Sequence, residues 1–395
     1  MRGITLFNYG GSGTIGLVNA GFEVPLILEI DKDMIENGAA QHFIYNYPDV
    51  KVLPPEDWEN DNYLELMKNE NWDIVIGWPP CSGLSMINRH ASADNEINHH
   101  MYRWANAIKK MQPKTFIMEN APTLITKGKK ILNDITELLK EHYRFTIIRD
   151  YAGNHNCCMR RLRTFVIGWR RDIFESVPPI YQYVSKTTVS EVLDKVSEDA
   201  PNMKFVPERT CKDLEWVIPD MTEPISIVTH ICKNYEKYED KLDEKTKKRL
   251  ANTLAKIRED KSYFDKSPNR LKADGLSPSL TSVTELIHYK QNRPLFIREY
   301  ASIMGYPEDY VFLDNLKVPY LQAIAQGVPA NFIQWAATEV KDKLNNTSYF
   351  KGLRAIPSEY DIVYEHLASG KTEFAYYTID SFKNTEDITK GVKEQ

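Results

Sequence analysis

Cys81 stands in Trp78-Pro79-Pro80-Cys81-Ser82-Gly83-Leu84-Ser85, directly after the apolar run Ile74-Val75-Ile76-Gly77. Such a spacing puts a thiol on a stiff loop at the carboxyl end of a strand, where open α/β sheets bind ligands. Only a thiolate is a strong nucleophile, and an unperturbed cysteine near pKa ~8.5 is only slightly ionised at neutral pH, so this chemistry asks for positive neighbours. A buried packing cysteine is the plainer alternative. Glu119 and Asn120 close the apolar run Thr115-Phe116-Ile117-Met118. A carboxyl at a strand end can protonate or hydrogen-bond a substrate nitrogen if burial raises its pKa, or it can merely cap the next segment. Arg161 and Arg163 open the run Leu162 to Gly168. Residues two apart on a strand share a face, and buried charge is costly, so this pair is expected to meet an anion or a polar ligand.

A second group of residues suits a nucleoside. Phe7 leads into Tyr9-Gly10-Gly11-Ser12-Gly13-Thr14-Ile15-Gly16, where Gly11 to Gly16 spell G-x-G-x-x-G, and Glu29 and Asp31 follow the next apolar run. Glycines there tighten a strand-to-helix turn and let a cofactor approach the backbone, while an acidic side chain can meet ribose hydroxyls. NAD and S-adenosylmethionine are both compatible with that pattern, as is a turn that simply needs glycine. His99-His100 has no third ligand at a metal-binding spacing and is expected to be surface-exposed, with no metal bound. Cys157-Cys158 is expected to pack rather than to do redox chemistry.

These residues need elements to hold them. Apolar runs near residues 3–8, 24–29, 73–77, 114–118, 144–149 and 163–168 read as strands, and 14–20, 32–46, 98–111 and 129–141 read as helices. The alternation predicts an α/β doubly wound domain with a mostly parallel sheet. From about residue 172 it is lost, with Pro178-Pro179 marking an exit. The charged stretch 236–261 reads as one or two exposed amphipathic helices, and further helices are predicted at 297–304 and 330–344. A hairpin turning at Ser369-Gly370-Lys371 is expected to fold the tail against the body.

The chain of 395 residues, 42% hydrophobic and 27% charged, is long enough for two domains and excludes disorder. No run reaches the ~18 to 20 apolar residues of a membrane helix, and Met1 to Phe7 reads as a strand rather than a signal peptide. Five cysteines without a C-x-x-C pair support neither a disulfide framework nor a zinc ribbon, which favours a reducing compartment. The net charge of −5 argues against coating nucleic acid in bulk but leaves room for a local basic cleft.

Taken in order, the Phe7 glycine loop, the Pro80-Cys81 loop, the Glu119-Asn120 strand end and the Arg161-x-Arg163 strand resemble the ordered motifs of the C5 cytosine-specific DNA methyltransferases. A closing block is similar too: Arg293 to Ala301, Gly305-Tyr306-Pro307 and Gln326-Gly327-Val328-Pro329. The resemblance covers about residues 3–172 and 275–345. It implies an S-adenosylmethionine-dependent methyltransferase (Rossmann-like) fold split as 1–175 and 318–345, a target-recognition domain at 176–317 and a C-terminal extension at 346–395. By that resemblance Cys81 adds to carbon 6 of a flipped-out cytosine, Glu119 contacts ring nitrogen 3 and the exocyclic amine, Arg163 holds the carbonyl oxygen and Arg161 supports the pocket. The donor is expected on Phe7, Gly11, Gly13, Glu29, Asp57, Pro80 and Gln326.

The implied partner is double-stranded DNA, with the protein a monomer in the cytoplasm, or the nucleus of a eukaryote, without membrane or metal, and with restriction-modification as a setting. A transfer RNA cytosine methyltransferase or a nucleic-acid-binding pseudoenzyme of the same fold is the alternative; an NAD oxidoreductase would leave Cys81, Glu119 and both arginines unexplained. The chain departs from the family pattern at Tyr9, Ser12, Ser82, Met159 and Ala325-Gln326.

Overall fold

The computed structural model describes residues 1–29, 32–53, 67, 70–85, 88–180, 184–206, 212–263, 267–347, 359–368 and 371–388. Strands β1 (Arg2–Leu6), β2 (Glu23–Leu28), β3 (Lys51–Leu53), β4 (Ile74–Gly77), β5 (Thr115–Asn120) and β6 (Tyr143–Tyr151) are joined by β7 (Met159–Arg160) and β8 (Leu162–Arg170). Two short strands, β9 (Asn269–Arg270) and β10 (Ser277–Pro278), precede β11 (Leu286–Ile287), and the tail contributes β12 (Ile362–Ala368) and β13 (Lys371–Tyr377). The main sheet runs β13-β12-β6-β8-β5-β4-β1-β2-β3. All neighbours pair in parallel except β8, which is antiparallel to β5 and β6, and β13, which is antiparallel to β12.

Strands buried on both faces must be apolar throughout, and β4 and β5 are buried at every position. The helices α1 (Ser12–Asn19), α2 (Lys32–Glu36), α3 (Ala40–Asn46), α4 (His99–Met111) and α5 (Lys129–Leu139) cover the sheet. On α5, Ile131, Leu132, Ile135 and Leu139 form the inward stripe that a 3.6-residue period dictates. The stretch 32–46, expected as one helix, is two, because the chain turns at Asn37 to Ala39 around Gly38.

Beyond β8 the chain builds smaller elements. Helix α6 (Val189–Leu193) starts at a capping box of Thr188 and Glu191. Helices α7 (Ile227–Lys233), α8 (Tyr235–Tyr238) and α9 (Glu244–Arg258) enclose a separate apolar cluster that includes Leu214, Ile231, Tyr238 and Leu250. Short parallel pairs, β7 with β10 and β9 with β11, root this region beside the arginine strand. The chain returns through α10 (Ile297–Ile303), α11 (Tyr320–Gln326) and α12 (Ala330–Asn345), the last packing along α1.

The tail is part of the main sheet rather than an appendage. Strand β12 pairs with β6, and helix α13 (Ile379–Asn384) packs on α5. Lys129 there donates to the Phe382 carbonyl at 2.7 Å. No helix among the described residues is long and apolar enough to cross a membrane.

Candidate active site

The turn after β1 is held in an uncommon backbone conformation. Phe7, Tyr9 and Gly11 have φ of 65°, 49° and 85°. The left-handed region suits glycine but costs a side-chain-bearing residue ~1 kcal/mol or more, so Phe7 and Tyr9 need external support. Phe7 donates its N–H to Leu28 O at 2.8 Å, and Tyr9 donates to Oε1 of Glu29 at 2.7 Å. The hydroxyls of Tyr306 and Tyr310 both donate to the Gly10 carbonyl at 3.0 Å. Glu29 therefore braces the loop from the end of β2, and two tyrosines some 300 positions away brace it from the other side. At Gly13 a Cβ would lie 2.2 Å from the Trp78 indole, so glycine there lets the residue before Pro79 pack flat on the loop.

Trp78 leads directly into the cysteine loop. Asn120 at the end of β5 donates to Pro79 O at 3.1 Å, and Leu84 N donates to Cys81 O at 3.0 Å. The half-buried Cys81 and its neighbour Pro80 are thus fixed between β4 and β5. Glu119, 4% exposed, precedes the Asn120 that holds this loop. Phe165 is opposite Glu119 in the antiparallel β5–β8 ladder, and Arg163, two residues before it, is on the same face. Arg163 Nε approaches Oε1 of Glu119 at 2.6 Å. Burial pushes the Glu119 carboxyl up from the usual carboxylate range, while Arg163 and Arg161 pull the other way.

The two arginines divide their work. Arg163 also donates from Nη1 to Leu162 O at 2.8 Å, leaving its second terminal nitrogen without a hydrogen bond among the described residues. Arg161 falls between β7 and β8 and turns away, donating to Ala325 O at 3.2 Å, Gly327 O at 2.8 Å and Leu280 O at 3.4 Å. Burial, with Arg163 next, lowers its pKa, and the charges of Glu119 and Cys81 offset part of that. The expectation that the two arginines point together is therefore corrected: Arg163 meets Glu119, and Arg161 ties the strand to the closing segment. Cys81, Glu119, Arg161 and Arg163 nevertheless fall within electrostatic reach of one another, Glu119 and Arg161 buried and Cys81 and Arg163 half-buried.

Two residues at this site, Trp78 and His100, had no expected ligand role in the sequence, whereas Gln326 was expected on the donor. Trp78 Nε1, His100 Nδ1 and Gln326 Oε1 are buried without hydrogen-bond partners among the described residues. His100 is 8% exposed and edge-on to Phe7, with ring centroids 5.8 Å apart, which overturns the expectation that His99-His100 is a surface pair. Only His99 is exposed. His100 heads the stripe His100, Trp104, Ile108, Met111 that α4 turns inward, a periodicity that was readable from the sequence. Burial holds its pKa down to about 4, so the ring is neutral at physiological pH. Buried polar atoms normally have partners, so three orphans around the loop mark a place where a polar ligand fits. The expected donor residues Phe7, Gly11 and Gly13 lie on this loop, Glu29 braces it from the end of β2, Pro80 is on the cysteine loop and Gln326 on α11; Asp57 and Asp31 lie outside the described residues. No group of His, Cys, Asp and Glu able to hold a metal occurs among the described residues.

This architecture has known counterparts. The sequence profile of the family described as C-5 cytosine-specific DNA methylase matches residues 1–342. The chain is 27% identical over 350 residues to the type II methyltransferase M1.HphI of Haemophilus parahaemolyticus, covering 87% of each chain. It is 25% identical over 355 residues to the type II methyltransferase M.Sau96I of Staphylococcus aureus, covering 85% of this chain and 75% of that one. A solved structure of a Spodoptera frugiperda DNMT2 mutant superposes with a TM-score of 0.55 at 13% identity, covering 86% of this chain and all of the other, a likeness of fold.

Proposed function

The chain belongs to the C-5 cytosine-specific DNA methylase family and is a DNA cytosine-C5 methyltransferase, and from that premise we propose how its own residues carry the reaction. Cys81 is the nucleophile. Its sulfur bonds to carbon 6 of cytosine, and the electron pair of the 5,6 double bond makes carbon 5 nucleophilic. Glu119 faces ring nitrogen 3 and the exocyclic amine; burial raises its pKa, and in its protonated form the carboxyl donates to nitrogen 3 and stabilises the charge that addition pushes into the ring. The remaining terminal nitrogen of Arg163 takes the carbonyl oxygen. Arg161 is a positioning residue, because its terminal nitrogens are engaged by the carbonyls of Ala325, Gly327 and Leu280. After methyl transfer the carbon 5 proton leaves, the sulfur–carbon bond breaks and the Cys81 thiolate is regenerated.

S-Adenosylmethionine supplies the electrophilic methyl group. Phe7, Gly11, Gly13, Glu29, Asp57, Pro80 and Gln326 would hold it, and the orphaned atoms of Trp78, His100 and Gln326 support a polar ligand at the loop. The substrate is duplex DNA acted on by a monomer in the cytoplasm. Because a stacked cytosine cannot reach side chains at the carboxyl ends of β4 and β5, the base is flipped out at a cost of a few kcal/mol. Residues 176–317 serve as the target-recognition domain, rooted beside Arg161 by β10 and Leu280.

The observation that carries this reading is the pairing of Arg163 with Glu119 beside Cys81. Its test is incubation with methyl-labelled S-adenosylmethionine and either unmethylated duplex DNA or bulk transfer RNA, followed by nucleoside mass spectrometry. 5-Methylcytosine in the DNA supports it; label in the RNA alone moves the substrate, and label in neither removes the activity.

A further inference from the structure

Helix α9 is sided in charge as well as in hydropathy. Residues 241–258 hold seven Lys or Arg and two Asp or Glu, a net charge of +5, in a chain whose total is −5. At 100° per residue, Lys245, Lys248, Arg249, Asn252 and Lys256 fall on one stripe. Thr246 and Leu250, the buried positions of the helix, lie on the opposite side. The stripe from Lys245 to Lys256 spans about 16 Å. Arg249 is paired with Asp213 at 3.0 Å, whereas Lys245, Lys248 and Lys256 have no ion pair among the described residues.

Local helix energetics do not favour this arrangement. Cations near a helix C-terminus complement its dipole, which accounts for Lys256 and Arg258, but Lys245 and Lys248 lie in the first two turns, where the dipole opposes them. Like charges three and four apart repel as well. The N-terminal acids act on the start of the stripe alone: Asp243 is the cap, accepting from Thr246 N at 2.6 Å, with its charge also favouring Lys245 and Arg249, and Glu244 pairs with Lys247. No carboxylate occurs between Glu244 and Glu259. A polyanion across the stripe would relieve the repulsion along its whole length.

We propose that the lysine stripe of α9 is a docking surface for the phosphate backbone of duplex DNA, outside the bases that are read. This rests on the reading that residues 176–317 face DNA and adds a sequence-independent grip to it. The elements that α9 packs on lead back to the arginine strand. It packs on α7, Ile227 N donates to Pro268 O at the start of β9, and the same region supplies Leu280 to Arg161. Phosphate contacts position a protein without reading sequence, so the grip acts equally on cognate and non-cognate duplexes.

The experiment uses the full chain with Lys245, Lys248 and Lys256 all changed to Gln, and a second variant with all three changed to Arg. Binding to a fluorescent duplex is followed by anisotropy from 50 to 200 mM salt. Three lost phosphate contacts reduce the slope of log affinity against log salt by about 2 to 3, so wild-type affinity falls about forty-fold more than that of the Gln variant across this range. The Arg variant is expected to keep the wild-type slope, and methylation at saturating DNA to be unchanged in both. A Gln variant with the wild-type slope overturns the proposal. The slope needs no turnover, so it decides the matter even if wild type leaves DNA unmethylated, the separate result that would remove the DNA-methylation reading.

Discussion

Arg163 Nε lies 2.6 Å from Oε1 of Glu119, and the two side chains reach each other from adjacent antiparallel strands, β8 and β5. The contact makes the state of the carboxyl depend on an arginine proposed to hold the base. Burial raises the Glu119 pKa as the largest influence, with Arg163 second and opposed. The protonated carboxyl is the form that donates to a ring nitrogen, so activity is present below the raised pKa and lost as pH rises through it. Glu119→Gln keeps a neutral donor but no proton to give, and we expect kcat to fall by roughly 10² to 10⁴ with that alkaline limb gone. A pH series of single-turnover methylation measures both; a variant that keeps the limb would remove Glu119 from the role.

Cys81→Ala is expected to abolish methyl transfer while leaving DNA retardation in gels at the wild-type level. The side chain is half-buried and makes no side-chain hydrogen bond among the described residues, so its loss leaves the Pro80 loop held by Asn120 and Leu84. Turnover by this variant in the mass-spectrometric assay would exclude the covalent route.

Arg161 separates from Arg163 in what its removal should do. Hydrogen bonds from a charged donor contribute about 1.5 to 3 kcal/mol each, and Arg161 makes three with carbonyls of two other segments. Arg161→Met should lower the free energy of unfolding by several kcal/mol, read from the denaturant midpoint, and raise the KM for the donor, since Ala325 and Gly327 flank Gln326. Its residual kcat should exceed that of Arg163→Met. An Arg161 variant of wild-type stability that has lost only kcat would show direct contact with the base instead.

Residue type and period two placed Cys81, Glu119 and Arg163 at strand ends in the sequence, because those signals are local. The separate job of Arg161 was not legible: it falls between β7 and β8, outside a continuous ladder, so the shared-face rule does not bind it. Tyr306 and Tyr310 reach Gly10 across nearly three hundred positions, a contact that no window on the sequence contains. His100 was the missed local signal, since its spacing to Trp104 and Ile108 is that of a buried helix face. The two tail strands add to the sheet only because β6 offers an edge, which becomes visible once the strand order exists.

His42 makes stability depend on pH. It is fully buried on α3, its Nδ1 accepts from Leu313 N at 2.9 Å, and burial lowers its pKa to about 4 from 6.5. Because the folded pKa is depressed, the unfolded chain takes up the proton first. The stabilising contribution is complete above pH 6.5 and is lost as pH falls toward 4, by about 3 kcal/mol at the lower end. His42→Asn can keep the acceptor without the titration. Urea midpoints from pH 7 to 4 should decline less steeply in that variant; parallel curves would show that other groups govern acid unfolding.

The hairpin of β12 and β13 lies outside the 1–342 match yet completes the core. Ile362, Val363 and Tyr364 are no more than 2% exposed, and Asp361 takes both Arg144 at 2.8 Å and Arg171 at 2.6 Å. Deleting residues 346–395 would uncover the edge of β6 and an apolar layer at once, and an exposed apolar edge strand is a template for aggregation. The truncated protein is therefore expected to be insoluble or to self-associate on a sizing column. A milder change avoids the ambiguity of a variant that fails to fold: Ile362→Ala should cost about 2 to 5 kcal/mol, as a buried truncation does, with kcat retained in the folded fraction. A soluble, monomeric truncation with the wild-type denaturant midpoint would show that β6 can serve as the edge of the sheet and that the hairpin is dispensable to the catalytic core.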